Sequence, residues 1–216
     1  RALSSAAAST VEQMARSLLE YVAYDMPTEL GATMRATATA AMDNAFDEML
    51  PRGVTPIPQV FVFDRFGEQQ LVGHIICRGY ERGPDAAQAV AHLGRIAAAV
   101  AGTDLLVTWE EADLDGPSPA APAFAILEAA LDYHALTLVP FYRRTVGREP
   151  DGQPNVKVIR DRPTDTYEGA ALPLSVHTLL HLWRTCLATY DWDYSQQVVA
   201  DAVRSGYDIA LCTPKG

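Results

Sequence analysis

An α+β fold, with a mixed, largely antiparallel sheet of five to six strands covered by helices, is what this sequence predicts. Three observations carry that expectation. Apolar residues recur at helical spacing near both ends of the chain, and short β-branched or aromatic runs bounded by turn residues lie between them. Most neighbouring runs are joined by hairpin-length turns and only some by helical crossovers, which favours antiparallel pairing.

The elements follow in order. Thr10 and Gln13 form a capping box for a first helix whose face carries Val11, Met14, Leu18 and Val22. Pro27 ends it, and a second helix begins near Thr28 with Leu30, Met34, Ala38, Met42, Phe46 and Met49 on one side. Pro51-Arg52-Gly53 closes that helix. Residues 1–53 therefore read as a helical segment packing on a main α+β domain of residues 54–216. Gln59–Phe63 and Gln70–Arg78 form a hairpin around Gly67, and Pro84 opens a helix ending at Gly102. Asp104–Trp109 is the next strand.

Ser118 to Tyr133 reads as a further helix, with Phe124, Leu127 and Leu131 inward. Leu136–Tyr142 and Val156–Arg160 pair as strands around Asp151-Gly152, with Pro140 placing the first at an edge or near its end. Pro173–Ala188 is a strong helix; another begins at Tyr194-Ser195 and stops at Gly206, before a strand from Tyr207 to Cys212. A hairpin–helix–strand unit thus occurs twice, which suggests a ββαβ pseudo-repeat.

Composition narrows the function classes. The chain has 17 Lys and Arg against 27 Asp and Glu, a net charge of −10. Nucleic acid is bound chiefly by neutralising phosphates, so this balance points away from it. The nearest local patch, Arg143, Arg144 and Arg148, flanks a turn and reads as a solvated hairpin end. No apolar run reaches the roughly 18 residues a membrane span requires, and residues 1–8 hold no apolar signal core. Cys77, Cys186 and Cys212 are odd in number and lack metal-site spacing, which fits a reducing cytoplasm. The excess of arginine over lysine, with abundant alanine, reads as the product of a GC-rich bacterial genome.

Three constellations could carry chemistry. Glu110, Glu111, Asp113 and Asp115 follow a strand, where carboxylates bind hard cations or act as acid–base pairs. Glu111, Asp113, Asp115 and Gly116 mimic the opening of an EF-hand loop, but Pro122 stands at the twelfth position in place of the bidentate glutamate. A solvated loop rim is the plainer account of the block. His74 and Arg78 share one strand face, where Glu110 or Glu111 could complete a histidine–carboxylate–arginine cluster. His177 and His181 stand four apart on a helix and could reach one divalent metal, although Thr178 replaces the glutamate of a zincin helix. No other cofactor is expected. P-loop, dinucleotide and nucleophile-elbow motifs are absent from the sequence.

The leading expectation is a soluble cytoplasmic interaction or regulatory module, engaging a protein partner or a second copy through the N-terminal helices. The competing expectation is a metal-dependent or acid–base hydrolase using His74, Arg78, Glu110, Glu111 and Asp113.

Overall fold

The structure, a computed structural model, describes residues 28–67, 69–111, 114, 122–148 and 154–212. The helix expected over Thr10–Val22, the residues Asp113 and Asp115–Pro119, and the turn around Asp151-Gly152 lie outside them. Four α-helices are described: α1 (Thr28–Asp43), α2 (Pro84–Ala99), α3 (Leu174–Ala188) and α4 (Trp192–Arg204). Eight strands accompany them: β1 (Gln59–Phe63), β2 (Leu71–Ile76), β3 (Asp104–Glu110), β4 (Ala123–Ala129), β5 (His134–Arg148), β6 (Pro154–Arg160), β7 (Tyr167–Glu168) and β8 (Asp208–Leu211).

The strands form one sheet in the order β6-β5-β4-β3-β1-β2-β8, with β7 beside β5. All described pairings are antiparallel. Strands β2 and β3 both run antiparallel to β1 and hence parallel to each other. Only a crossover can join such strands, and α2 supplies it. The amides of Asp161 and Thr164 donate to the carbonyls of Pro140 and Leu138 at 2.8 Å each, so residues 154–168 run along β5 as one interrupted strand.

Side-chain alternation divides the strands between two cores. On one face Val60, Val62, Ile75, Leu105, Val107, Trp109 and Leu127 meet Val90 and Leu93 of α2, Val176, Leu179 and Trp183 of α3, and Ala202 of α4. On the other, Phe63, Leu106, Phe124, Ile126, Val139 and Phe141 are covered by Leu30 and Met34 of α1, with Phe46 and Leu50 beyond it. Phe46 meets Phe124 and Phe141 edge-on, with centroids 6.1 and 5.6 Å apart. Each buried aromatic side chain contributes on the order of 2–3 kcal/mol by removal of its apolar area from water. The closest helix contact is between α2 and α3, where a Cβ on Gly94 would stand 2.1 Å from the Leu179 carbonyl oxygen. Only glycine allows the helices to approach that far.

Several expectations change with the fold. The α+β class stands, but the sheet has eight strands. The helix expected from Ser118 to Tyr133 is instead β4, buried at all but one position. A central strand covered on both faces need not alternate, so Ala123–Ala129 mimicked helical spacing. Strand β5 is 15 residues long, and Pro140 lies within it opposite Ala123. The missing N–H is tolerated there because the partnership with β4 ends and that with β6 begins. The second hairpin–helix–strand unit closes with β8 beside β2 at the far edge, whereas the first closes with β3 beside β1, so the two units are not equivalent. Helix α4 starts at Trp192 because the Asp191 carboxylate accepts from the Tyr194 amide at 2.9 Å. The long second helix becomes a π-helical turn over Asn44–Met49 and a 3-10 turn over Leu50–Arg52. No helix among the described residues is long and apolar enough to cross a membrane.

Candidate functional site

At the end of β3, alternation sends the two glutamates to opposite faces of the sheet. Glu110 follows Leu106 and Thr108 toward the α1 face, and Glu111 turns to the helix-covered side. There it accepts a hydrogen bond from the Trp109 indole at 2.7 Å. Burial pushes the Glu111 carboxyl above its ordinary value, and the indole N–H opposes that rise. A carboxyl held by one neutral donor beneath a tryptophan anchors the strand end.

His74 occupies the same face as Glu110 but not the same place. Its register partner is Phe61, which in turn faces Leu106, four residues before Glu110. Two strand spacings and four residues of rise separate His74 from Glu110 by roughly 16 Å. The imidazole stacks on the Phe61 ring, with centroids 4.3 Å apart, and its Nε2 hydrogen-bonds the Gln59 side chain at 2.8 Å. Burial pushes His74 below its ordinary value, and the charge of Asp208 on β8 opposes this. His74 is thus a half-buried ring, stacked on Phe61 and hydrogen-bonded to Gln59.

Arg78 has a different partner from the one expected. Its Nη2 donates to Asp85 Oδ1 at 2.5 Å and its Nη1 to the Gly79 carbonyl at 2.8 Å. The same carboxylate accepts from the Glu81 amide at 2.9 Å. Arg78 therefore ties the end of β2 to the first turn of α2, where Asp85 complements the helix dipole. Gly83 introduces that helix at φ +93°, a conformation that disfavours any side chain. The Arg78 guanidinium, through its hydrogen bond, holds Asp85 below the usual carboxylate range. Tyr207, between α4 and β8, closes the cluster: its hydroxyl donates to the Ala89 carbonyl at 2.9 Å, and burial pushes it up to about 12. Sequence alone marked Asp85 as the acid in the first turn of this helix, but not its pairing with Arg78 nor the approach of Tyr207. The helix-opening Gly83-Pro84-Asp85 pattern was the available signal for Asp85, while Tyr207 lies 122 residues further on.

His177 and His181 stand exposed on α3, on one face as their spacing implies. Among the described residues, no group of three or more histidine, cysteine, aspartate and glutamate side chains converges as a metal would require. A buried ion pair also escaped sequence reading: Arg65 binds Asp104 bidentately, with Nε to Oδ2 at 2.8 Å. Thr103 Oγ1 donates to the same carboxylate at 2.8 Å. Arg184 likewise donates to the carbonyls of Ala130 and Tyr133 at 2.9 Å, fastening α3 to the β4–β5 turn. Each of these cations has a partner that explains its position structurally.

A cleft between α2, α3 and α4, bordered by Arg95, Cys186, Tyr190, Tyr194 and Ser195, encloses about 40 Å³. That is room for a few waters, well below the size of a small-molecule site. The outer surface beside it is more distinctive. Trp192, Val199 and Val203 recur along one stripe of α4, with Trp192 66 % and Val203 54 % exposed. The buried stripe of Ser195, Val198 and Ala202 lies next to it. Leu211, 56 % exposed, is a further apolar side chain in water, on the edge strand β8. No family model, curated protein or solved structure matches the chain.

Proposed function

We propose that this protein is a cytoplasmic interaction or regulatory module that engages a protein partner, or a second copy of itself, through α4 and β8. The exposed stripe of α4 is the observation that carries the reading. A helix that buries one stripe and leaves an adjacent tryptophan and valine in water has apolar area to cover. Aromatic residues of this kind supply the central contacts of protein interfaces. Strand β8 adds an edge whose outer backbone groups have no strand partner among the described residues, a template for an added strand. The expected contact through the N-terminal helices finds no surface at Leu30 and Met34 of α1, which are buried on the sheet, and the helix expected over Thr10–Val22 lies outside the described residues. Three free cysteines, Cys77, Cys186 and Cys212, agree with a reducing compartment.

The distances do not favour a hydrolase built on His74, Arg78, Glu110 and Glu111, while Asp113 lies outside the described residues. His74 and Glu110 stand roughly 16 Å apart by ordinary sheet spacings, and Glu111 faces away from both.

The test compares the wild-type chain with Trp192→Ser/Val203→Ser. Sedimentation reads self-association, and cross-linking in cells of the source organism reads a partner. The expected result is a discrete species formed by the wild type and lost in the variant, with thermal stability unchanged. Identical species from both proteins would sink the proposal.

A further inference from the structure

The β5–β6 ribbon is the one described part of the molecule that leaves the body. Up to Pro140, β5 is paired with β4, and the Phe141 amide still donates to the Pro122 carbonyl at 3.0 Å; beyond Phe141, β6 is its only strand partner among the described residues. Residues 142–148 are exposed without exception. Seven residues at strand spacing make an arm about 24 Å long. Residues 141–162 contain six of the chain's 17 basic residues but only three of its 27 acidic ones. Positive charge is therefore concentrated on the arm of an otherwise acidic chain.

The register distributes that charge over both faces. Arg144 stands directly opposite Lys157, on the face of Tyr142 and Ile159, while Arg143 lies opposite Val158 on the other face. Arg143, Arg144 and Lys157 make no ion pair with the described residues. Like charges directly across a ladder cost stability. Charged side chains do protect ribbon edges from aggregation, yet a chain with 27 acids had the opposite sign available for that purpose. Arg160, by contrast, is engaged at the root, 3.6 Å from Asp43 and over the Phe46 ring.

We infer that this arm binds double-stranded DNA, with the ribbon lying in the major groove. A two-stranded β-ribbon fits the roughly 12 Å major groove. A groove has phosphates on both walls, and cations on both faces of a ribbon match that arrangement. An acidic protein surface would meet one face only. The net charge of −10 opposes binding at long range, but salt screens it beyond about 8 Å and the arm extends further than that. The site is separate from the α4 stripe, so either assignment can fail alone.

The experiment measures fluorescence anisotropy of a labelled 20-base-pair DNA duplex, and of the same sequence as duplex RNA, from 50 to 200 mM salt. The wild-type chain should bind the DNA duplex more tightly than the RNA duplex, whose major groove is too narrow for a ribbon, and Arg143→Gln/Arg144→Gln/Lys157→Gln should bind DNA at least 10-fold more weakly. The log–log salt slope should fall by about 3 in that variant, one for each lost phosphate contact. Arg143→Lys/Arg144→Lys should retain binding, and Trp192→Ser/Val203→Ser should bind as the wild type does. No wild-type binding at 50 mM salt, or equal binding by the glutamine variant, would overturn the inference. So would polyglutamate competing as well as duplex, which would assign the arm to an acidic protein. Unchanged thermal midpoints show that every variant is folded.

Discussion

Strand β5 belongs to two different environments along its length. Its first half lies in a sheet covered by helices on both faces, next to β4, which is buried at all but one position. Its second half carries seven consecutive exposed residues in a two-stranded ribbon. In the body, polar groups have structural partners: Arg65 with Asp104, Arg184 with the β4–β5 turn, Trp109 with Glu111. In the ribbon, Arg143, Arg144 and Lys157 have no ion-pair partner among the described residues. A charge that the fold does not use is the more informative one about function, because stability gives no reason for its presence.

That contrast can be broken by mutation. The largest loss is expected at Trp183, fully buried with its indole donating to the Gly102 carbonyl at 3.1 Å. Trp183→Ala should cost about 3–5 kcal/mol in urea unfolding, as a large core cavity does; a loss under about 1 kcal/mol would show that the helical layer is not packed as described. Gly94→Ala should cost about 1–3 kcal/mol, because its methyl group meets the backbone of Leu179. A neutral effect there would mean that α2 and α3 stand further apart.

A smaller effect concerns pH. Burial raises the Glu111 carboxyl, so the folded chain holds that proton more firmly than the unfolded chain. Stability should fall as pH rises from the unfolded value of 4.5 through the raised folded value, since there the native state binds more protons. Glu111→Gln keeps an acceptor for Trp109 and removes the titration. Its stability advantage over the wild type should grow between pH 4.5 and neutrality; parallel curves for the two proteins would contradict a buried Glu111. The smallest change belongs to the ribbon, where Lys157→Glu should stabilise the chain by a few tenths of a kcal/mol through a cross-strand pair with Arg144. A loss above about 1 kcal/mol would mean that Lys157 is part of the body after all.

The site was less legible than the fold. Histidine, arginine and acids were visible as residue types, but their convergence depended on strand order. Register separates His74 from Glu110 and gives Arg78 to Asp85 instead. The ribbon shows the same limitation from the other side. Arg143, Arg144 and Arg148 appeared as a patch in sequence, yet Lys157, Arg160 and Arg162 joined it only when β6 folded back beside β5. A net charge is a sum over the chain, whereas recognition depends on where the charges stand.

By itself the sequence determined the α+β class, the β1–β2 hairpin and the helices beginning at Thr28, Pro84 and Leu174. Each rests on local periodicity, a proline or a turn glycine, and needs no distant partner. Tertiary structure alone decided that Ala123–Ala129 is a strand, that α1 closes the second face, and that β8 joins the far edge. Those outcomes depend on contacts between residues far apart in the chain, and burial on both faces erases the alternation that would have announced them.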